Sequence, residues 1–210
     1  EKTKESFTED GFLLTGDKGE IDGAGRLKIT GRIKEMFKTS KGKYVAPGFI
    51  DGHVHIESSM LTPPQFAKIV MPKGTTTVVA DPHEIANVSG IDGIKYMLES
   101  SKRVPLDVFV MIPSCVPATA FETSGHIITA DDIDSLKDEK GILGLGEVMN
   151  YPGVIYGDKE MHKKINVMEH YVKDGHAPNV WDHELNAYCV TGIKTDHECT
   201  TVEELNEKVK

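Results

Sequence analysis

The sequence predicts an α/β protein built on a parallel sheet with helices outside it. Two observations predict this class. After Pro47, short apolar strand-like runs alternate with helical stretches about six times, and no repeat or low-complexity segment interrupts them. The chain has 210 residues, 39% of them hydrophobic and 27% charged, a composition that suits one sizeable buried core. Residues 1–46 form the exception, a small β-hairpin segment ahead of the alternating part.

In that first segment "GEIDGAGRLKIT" sets Ile21, Leu27 and Ile29 around a glycine-rich turn, with alternation in "RLKIT", and "EMFKTSKGKYV" continues as further strand. The six later strands are expected at "GFIDGHVHI", "TTTVVAD", "LDVFVMIP", "GILGLGEV", "YVKDGHA" and "GIKTDHE". Helices are expected between and after them, near residues 63–72, 90–102, 131–138, 159–171, 182–191 and 201–209. Two have legible starts. Thr129 through Asp132, and Thr200 through Glu203, join a hydroxyl cap to an acidic first turn.

Composition excludes several classes. The net charge of −9 leaves no basic stripe for nucleic acid. No apolar run approaches the ~18–20 residues that cross a bilayer, and no secretory leader is visible. Cys115, Cys189 and Cys199 form no CxxC pair, which points to a reduced, cytoplasmic setting. Charge is uneven along the chain. Residues 1–46 hold ten Lys/Arg against eight Asp/Glu, the rest fourteen against twenty-five, and all nine histidines follow residue 52.

Chemistry concentrates where the strands end. On a strand, residues i and i+2 face the same way, so His53 and His55 converge. The second strand ends with Asp81, His83 and Glu84, the fourth with Glu147, the fifth with His176, the sixth with Asp196, His197 and Glu198. In a parallel barrel these ends line one mouth. Imidazoles and a carboxylate, without thiolate, suit Zn²⁺, Fe²⁺ or Mn²⁺. Four histidines and a carboxylate exceed what one ion needs, so two ions sharing Glu147 fit better, and such ions make hydroxide available near neutral pH. His126, His162, His170 and His183 fall in loops or helices and read as solvated surface. Cys115 reads either as a pocket-lining group or as a packing thiol.

Longer motifs carry a resemblance. "GKYVAPGFIDGHVHIESSML", "GTTTVVADPHEIANV", "LGLGEVMNYPGV", "DGHAP", "LNAY" and "TDHECTT" resemble the adenine deaminases of the amidohydrolase superfamily, from about residue 43 onward. The resemblance implies a (β/α)₈ TIM-type barrel with a small β-domain, a binuclear Mn²⁺ or Fe²⁺ centre, and hydrolysis of adenine to hypoxanthine and ammonia. It implies His53 and His55 as first-strand ligands, Glu147 as the bridging carboxylate, and His176 and His197 as ligands of the second ion. His83 and Glu84 are implied as catalytic groups beside the substrate. The partner is then a small purine, with a homo-oligomer allowed.

Residues 1–46 resemble instead the hinge region of AMP-forming long-chain acyl-CoA synthetases, through "EDGFLLTGDKGEIDGAGRLKITGRIKEMFKTSKGKYVAP". That resemblance implies nucleotide contacts for Asp17 and Arg32 and a hinge at Lys34. "GKYVAP" fits both families, so the seam falls there. With about six β/α units the barrel is expected to be incomplete, lacking the last strand's aspartate, with weak metal binding and negligible deamination by this chain alone. Two other functions remain: hydrolysis of a different cyclic amidine or amide, and a non-enzymatic, chimeric nucleotide-binding fragment.

Overall fold

The computed structural model describes residues 48–119 and 121–209, and ahead of them the backbone of four short strands. Those four are β1 (Asp17–Ile21), β2 (Leu27–Arg32), β3 (Phe37–Lys38) and β4 (Tyr44–Val45). β1 pairs antiparallel with β2, from Asp17 opposite Arg32 to Ile21 opposite Leu27, as the hairpin pattern predicts. β3 pairs antiparallel with β4. Lys34 and most of the "GKYVAP" seam lie outside the described residues.

The main sheet has six strands: β5 (Phe49–Val54), β6 (Thr75–Ala80), β7 (Asp107–Pro113), β8 (Ile142–Val148), β9 (Val172–Gly175) and β10 (Thr195–Asp196). They lie side by side in chain order, and every neighbouring pair is parallel. The helices between and after them are α1 (Pro63–Val70), α2 (His83–Ser101), α3 (Ala130–Leu136), α4 (Tyr151–Ile155), α5 (Lys159–Val167), α6 (Asp182–Cys189) and α7 (Val202–Lys208). All six predicted strands are present.

The sheet curls. In a flat sheet at ~4.8 Å per strand, β5 and β10 would stand about 24 Å apart. Yet His53 at the end of β5 and His197 just after β10 stack with ring centroids 3.7 Å apart. Sequential order, parallel pairing and this curl make an incomplete TIM-type barrel, an arc whose strand ends face one another.

Apolar faces explain the packing. Ile94 and Leu98 of α2, Ile133 and Leu136 of α3, and Ile165 of α5 bury against Val110, Ile112, Leu145 and Val148 of the sheet. A second cluster joins Ile56, Phe66 and Ala67 to Val78 and Ala80. Burying side chains of this size stabilises by roughly 1.5–3 kcal/mol each.

Three helix expectations need correction. The helix expected at 90–102 starts at His83, because α2 is two segments joined at Gly90, where φ is +59° and ψ −140°. Gly90 is there for contact as well as conformation, since a Cβ on it would lie 2.5 Å from the His126 ring. α4, at "YPGV", falls where the pattern of expected helices has none. It forms because Asn150 accepts the Gly153 amide as its cap, while Pro152 sits in the first turn, where no donor is needed. The last helix is capped by Thr201, which accepts from Glu204, one residue later than the Thr200–Glu203 pattern suggests. The Thr129–Asp132 start is a reciprocal capping box, as expected.

Candidate metal centre

The C-terminal ends of β5, β8, β9 and β10 bring together His53, His55, Glu147, His176 and His197. Glu147 lies at the middle, buried, with its two oxygens facing different pairs of imidazoles. Oε1 is 2.9 Å from Nε2 of His53 and 2.7 Å from Nε2 of His55. Oε2 is 3.2 Å from Nδ1 of His176 and 4.0 Å from Nε2 of His197. The strand rule that made His53 and His55 converge holds, since their Nε2 atoms are 3.0 Å apart.

His83 and Glu84 enter from the first turn of α2 rather than from a strand end. His83 Nδ1 is 3.7 Å from Glu147 Oε1 and 3.8 Å from Asp81 Oδ1, and its Nε2 is 3.7 Å from Glu84 Oε2. Glu84 Oε2 is also 3.5 Å from His55 Nδ1, and Glu84 accepts from Ser58. All seven residues singled out from the sequence therefore border one volume. His126, His170 and His183 are exposed, as expected, and His162 is tied to the Val154 carbonyl at 2.9 Å. Cys115 is a packing thiol: it is buried, with its sulfur accepting from the Asn150 amide and the Ser114 hydroxyl. Asp196 turns away, accepting the amides of Ala177 and Glu198 and pairing with Lys208.

Strand-end reading missed Asp174 and Tyr188. The signal for Asp174 was available, because it precedes His176 by two residues on β9, the same spacing as His53 and His55. Tyr188 is fully buried on α6, donates to the Val148 carbonyl at 2.7 Å and accepts from the His176 amide at 3.1 Å. No strand rule points to it.

The electrostatics are those of a crowded donor cluster. Burial works against charge on His53, but the carboxylates of Asp174 and Glu147 prevail and raise its pKa to about 9. Glu147 and Glu84 raise His55 to about 11. Burial would raise Glu147, yet His176, His53 and His55 hold it well below the usual carboxylate range. His83 is lowered by burial, and Asp81 is pushed well up, by burial first and by Glu147 second.

Divalent ions fit these donors. Ligands sharing one ion at ~2.1 Å stand about 3 Å from one another, as the His53, His55 and Glu147 atoms do. Among the described residues Glu147 Oε1 has no donor in hydrogen-bond geometry, although two imidazole nitrogens lie within 3 Å of it. A buried carboxylate oxygen with converging nitrogens suits the coordination of a cation. His55 Nδ1 contacts the Asp81 carbonyl at 2.8 Å, so in the neutral ring that a cation would select the hydrogen sits there and the Nε2 lone pair faces Glu147. A cavity of about 560 Å³ lies elsewhere, at the N-terminal ends of β7 and β8, lined by Leu98, Val104, Leu106 and Phe109 and holding none of these groups.

The sequence profile of the amidohydrolase family matches residues 44–210. An adenine deaminase of Clostridium acetobutylicum is 60% identical over 170 residues, covering 80% of this chain and 30% of that protein. Adenine deaminase 2 of Carboxydothermus hydrogenoformans is 50% identical over 207 residues, 97% of this chain and 35% of that protein. An adenine deaminase of Halalkalibacterium halodurans is 53% identical over 208 residues, 98% of this chain and 35% of that protein. The last two alignments run on into the segment before residue 44. The chain spans about a third of the length of the curated relatives it matches.

Proposed function

The chain belongs to the amidohydrolase family, and on that premise we propose that it carries most of the binuclear metal centre of an adenine deaminase. The observation that supports this most is the division of labour at Glu147. One oxygen faces His53 and His55, and the other faces His176 and His197, the arrangement a carboxylate bridging two ions requires. Mn²⁺ or Fe²⁺ is the proposed occupant, with Zn²⁺ also compatible with the donors.

When bound, the ions acidify water and polarise the carbon it attacks. The remaining work falls to the chain. Hydrolysis adds one water across the C6–amino bond of adenine, the ring keeps the oxygen and ammonia departs, so a proton must reach the leaving nitrogen. Glu84 and His83, 3.7 Å apart at the rim, are the proposed groups that hold and pass that proton. Burial disfavours the imidazolium of His83, which leaves it able to accept. The small purine is the proposed partner, and a cytoplasmic setting the proposed location.

For the chain as a whole we propose a division at about residue 46, between a β-rich, acyl-CoA-synthetase-like segment and the partial barrel of 47–210. Antiparallel pairs before it and the parallel arc after it support the division. The alignments that reach past residue 44 favour a deaminase origin for part of the first segment, and sequencing genomic DNA across 41–47 separates the two origins.

The activity is tested by ammonia release from adenine, adenosine, guanine and dihydropyrimidines with Mn²⁺- or Fe²⁺-loaded protein. Turnover by the incomplete barrel is expected to be slight, with adenine preferred and the residual ammonia release lost in His53→Ala. Preference for another ring, or turnover surviving His53→Ala, overturns the assignment.

A further inference from the structure

We propose that Asp174 is a positioning residue of the metal centre, one carboxylate that aims two ligand histidines from opposite ends of the arc. The inference rests on the metal reading above and deepens it. Oδ2 of Asp174 accepts from Nδ1 of His197 at 3.2 Å and lies 3.2 Å from Nδ1 of His53. The two rings stack 22° from parallel, so both present the same edge to that oxygen. Its other oxygen accepts the Thr195 hydroxyl at 2.5 Å, and Thr195 is the register partner of Asp174 across β9 and β10. Three donors thus fill most of the acceptor capacity of one carboxylate.

The consequence is tautomeric. An imidazole has one hydrogen when neutral, and a carboxylate at Nδ1 keeps that hydrogen there. Nε2 is then left with its lone pair, and in both histidines Nε2 is the atom turned toward Glu147. His55 obtains the same result from the Asp81 carbonyl, so three of the four imidazoles have their distal nitrogen fixed by an oxygen outside the centre. The arrangement also pins β5 to β10, strands that share no hydrogen bond, through a residue on β9. An alternative occupant is a third ion held by His53, Asp174 and His197. Geometry favours the positioning role, because an ion on both Nδ1 atoms, with Nε2 committed to the Glu147 side, would strip each imidazole of its remaining hydrogen.

The test is calorimetric titration of Mn²⁺ or Zn²⁺ into the 210-residue chain, with the melting temperature of each metal-free variant measured alongside. Asp174→Asn is expected to raise the metal Kd by about 10–100-fold while lowering the metal-free melting temperature by no more than a few degrees, the loss of one tie between β5 and β10. Thr195→Val, which frees the carboxylate without removing it, is expected to lose affinity in the same direction by less, and it decides the matter if Asp174→Asn does not fold. Glu147→Gln, the control for the centre itself, is expected to lose at least one ion. Unchanged affinity in Asp174→Asn beside loss in Glu147→Gln overturns the positioning role and leaves the metal reading standing. Full retention in Glu147→Gln, or no binding by the unaltered chain, overturns both. Three ions in the unaltered chain and two in Asp174→Asn make Asp174 a ligand, which also overturns the proposal.

Discussion

At the scale of single residues, the centre is built with no spare room. A Cβ on Gly146, the neighbour of Glu147, would lie 2.1 Å from Oδ2 of Asp81 and 3.1 Å from Cβ of Met111. Asp81 is 1% exposed, so it has little open space to swing into. Gly146→Ala is therefore expected to destabilise the chain by about 1–3 kcal/mol, read by urea denaturation, through overpacking that pushes Asp81 toward His83. An unchanged midpoint would mean that the strand end tolerates side-chain volume. The glycines of "GLGEV" thus serve the site as well as the sheet. The sequence shows their presence but not the carboxylate that needs the space, because Asp81 is 65 positions away and meets Gly146 only through the pairing of β6, β7 and β8.

At the scale of elements, α7 locks the two loops that carry His176 and His197. Glu204, fully buried, accepts the amides of Asn179 and Thr200 at 2.8 Å each. Lys208 donates to Glu204, to the carbonyls of Ala177 and Glu198, and pairs with Asp196. Burial would raise the Glu204 carboxyl, but Lys208 and these amides hold it at about 2. A carboxyl depressed below its unfolded value of ~4.3 stabilises the fold above that pH, and the contribution is lost as pH falls toward 2. Amide exchange of Asn179 and Thr200 is expected to accelerate between pH ~4.5 and 2, after correction for intrinsic rates, and Glu204→Gln is expected to remove the step. The same step in the variant would assign it to another acid. Such locks lie beyond a strand-and-helix reading. The pattern located α7 and misplaced its cap by one residue, since Thr200 and Thr201 are equal candidates until Glu204 is seen to bond them both. Gly90 is similar: at its kink the ring of His126, from a distant loop, lies where a Cβ would be, a contact the local sequence does not show, and propensity alone places the helix start seven residues late.

At the scale of the whole molecule, six parallel strands in chain order carry chemistry at one end and packing between sheet and helices. That much was legible, because strand-end position is a property of local sequence: apolar run, then His, Asp or Glu. It sufficed to place His53, His55, Glu147, His176 and His197 at one rim, and His83 and Glu84 beside them, though the last two arrive on a helix turn. What local sequence does not hold is the curl that stacks His53 on His197, or the choice of Asp174 as the residue between them. Both depend on how far the arc bends.

Elemental analysis tests most directly whether Glu147 holds a pair of ions between its two oxygens. The 210-residue chain is stripped with chelator, equilibrated with saturating Mn²⁺ or Zn²⁺, and its bound metal counted beside that of Glu147→Gln. Two ions per unaltered chain and at most one in the variant is the predicted result. Two ions in both, or none in either, would contradict it.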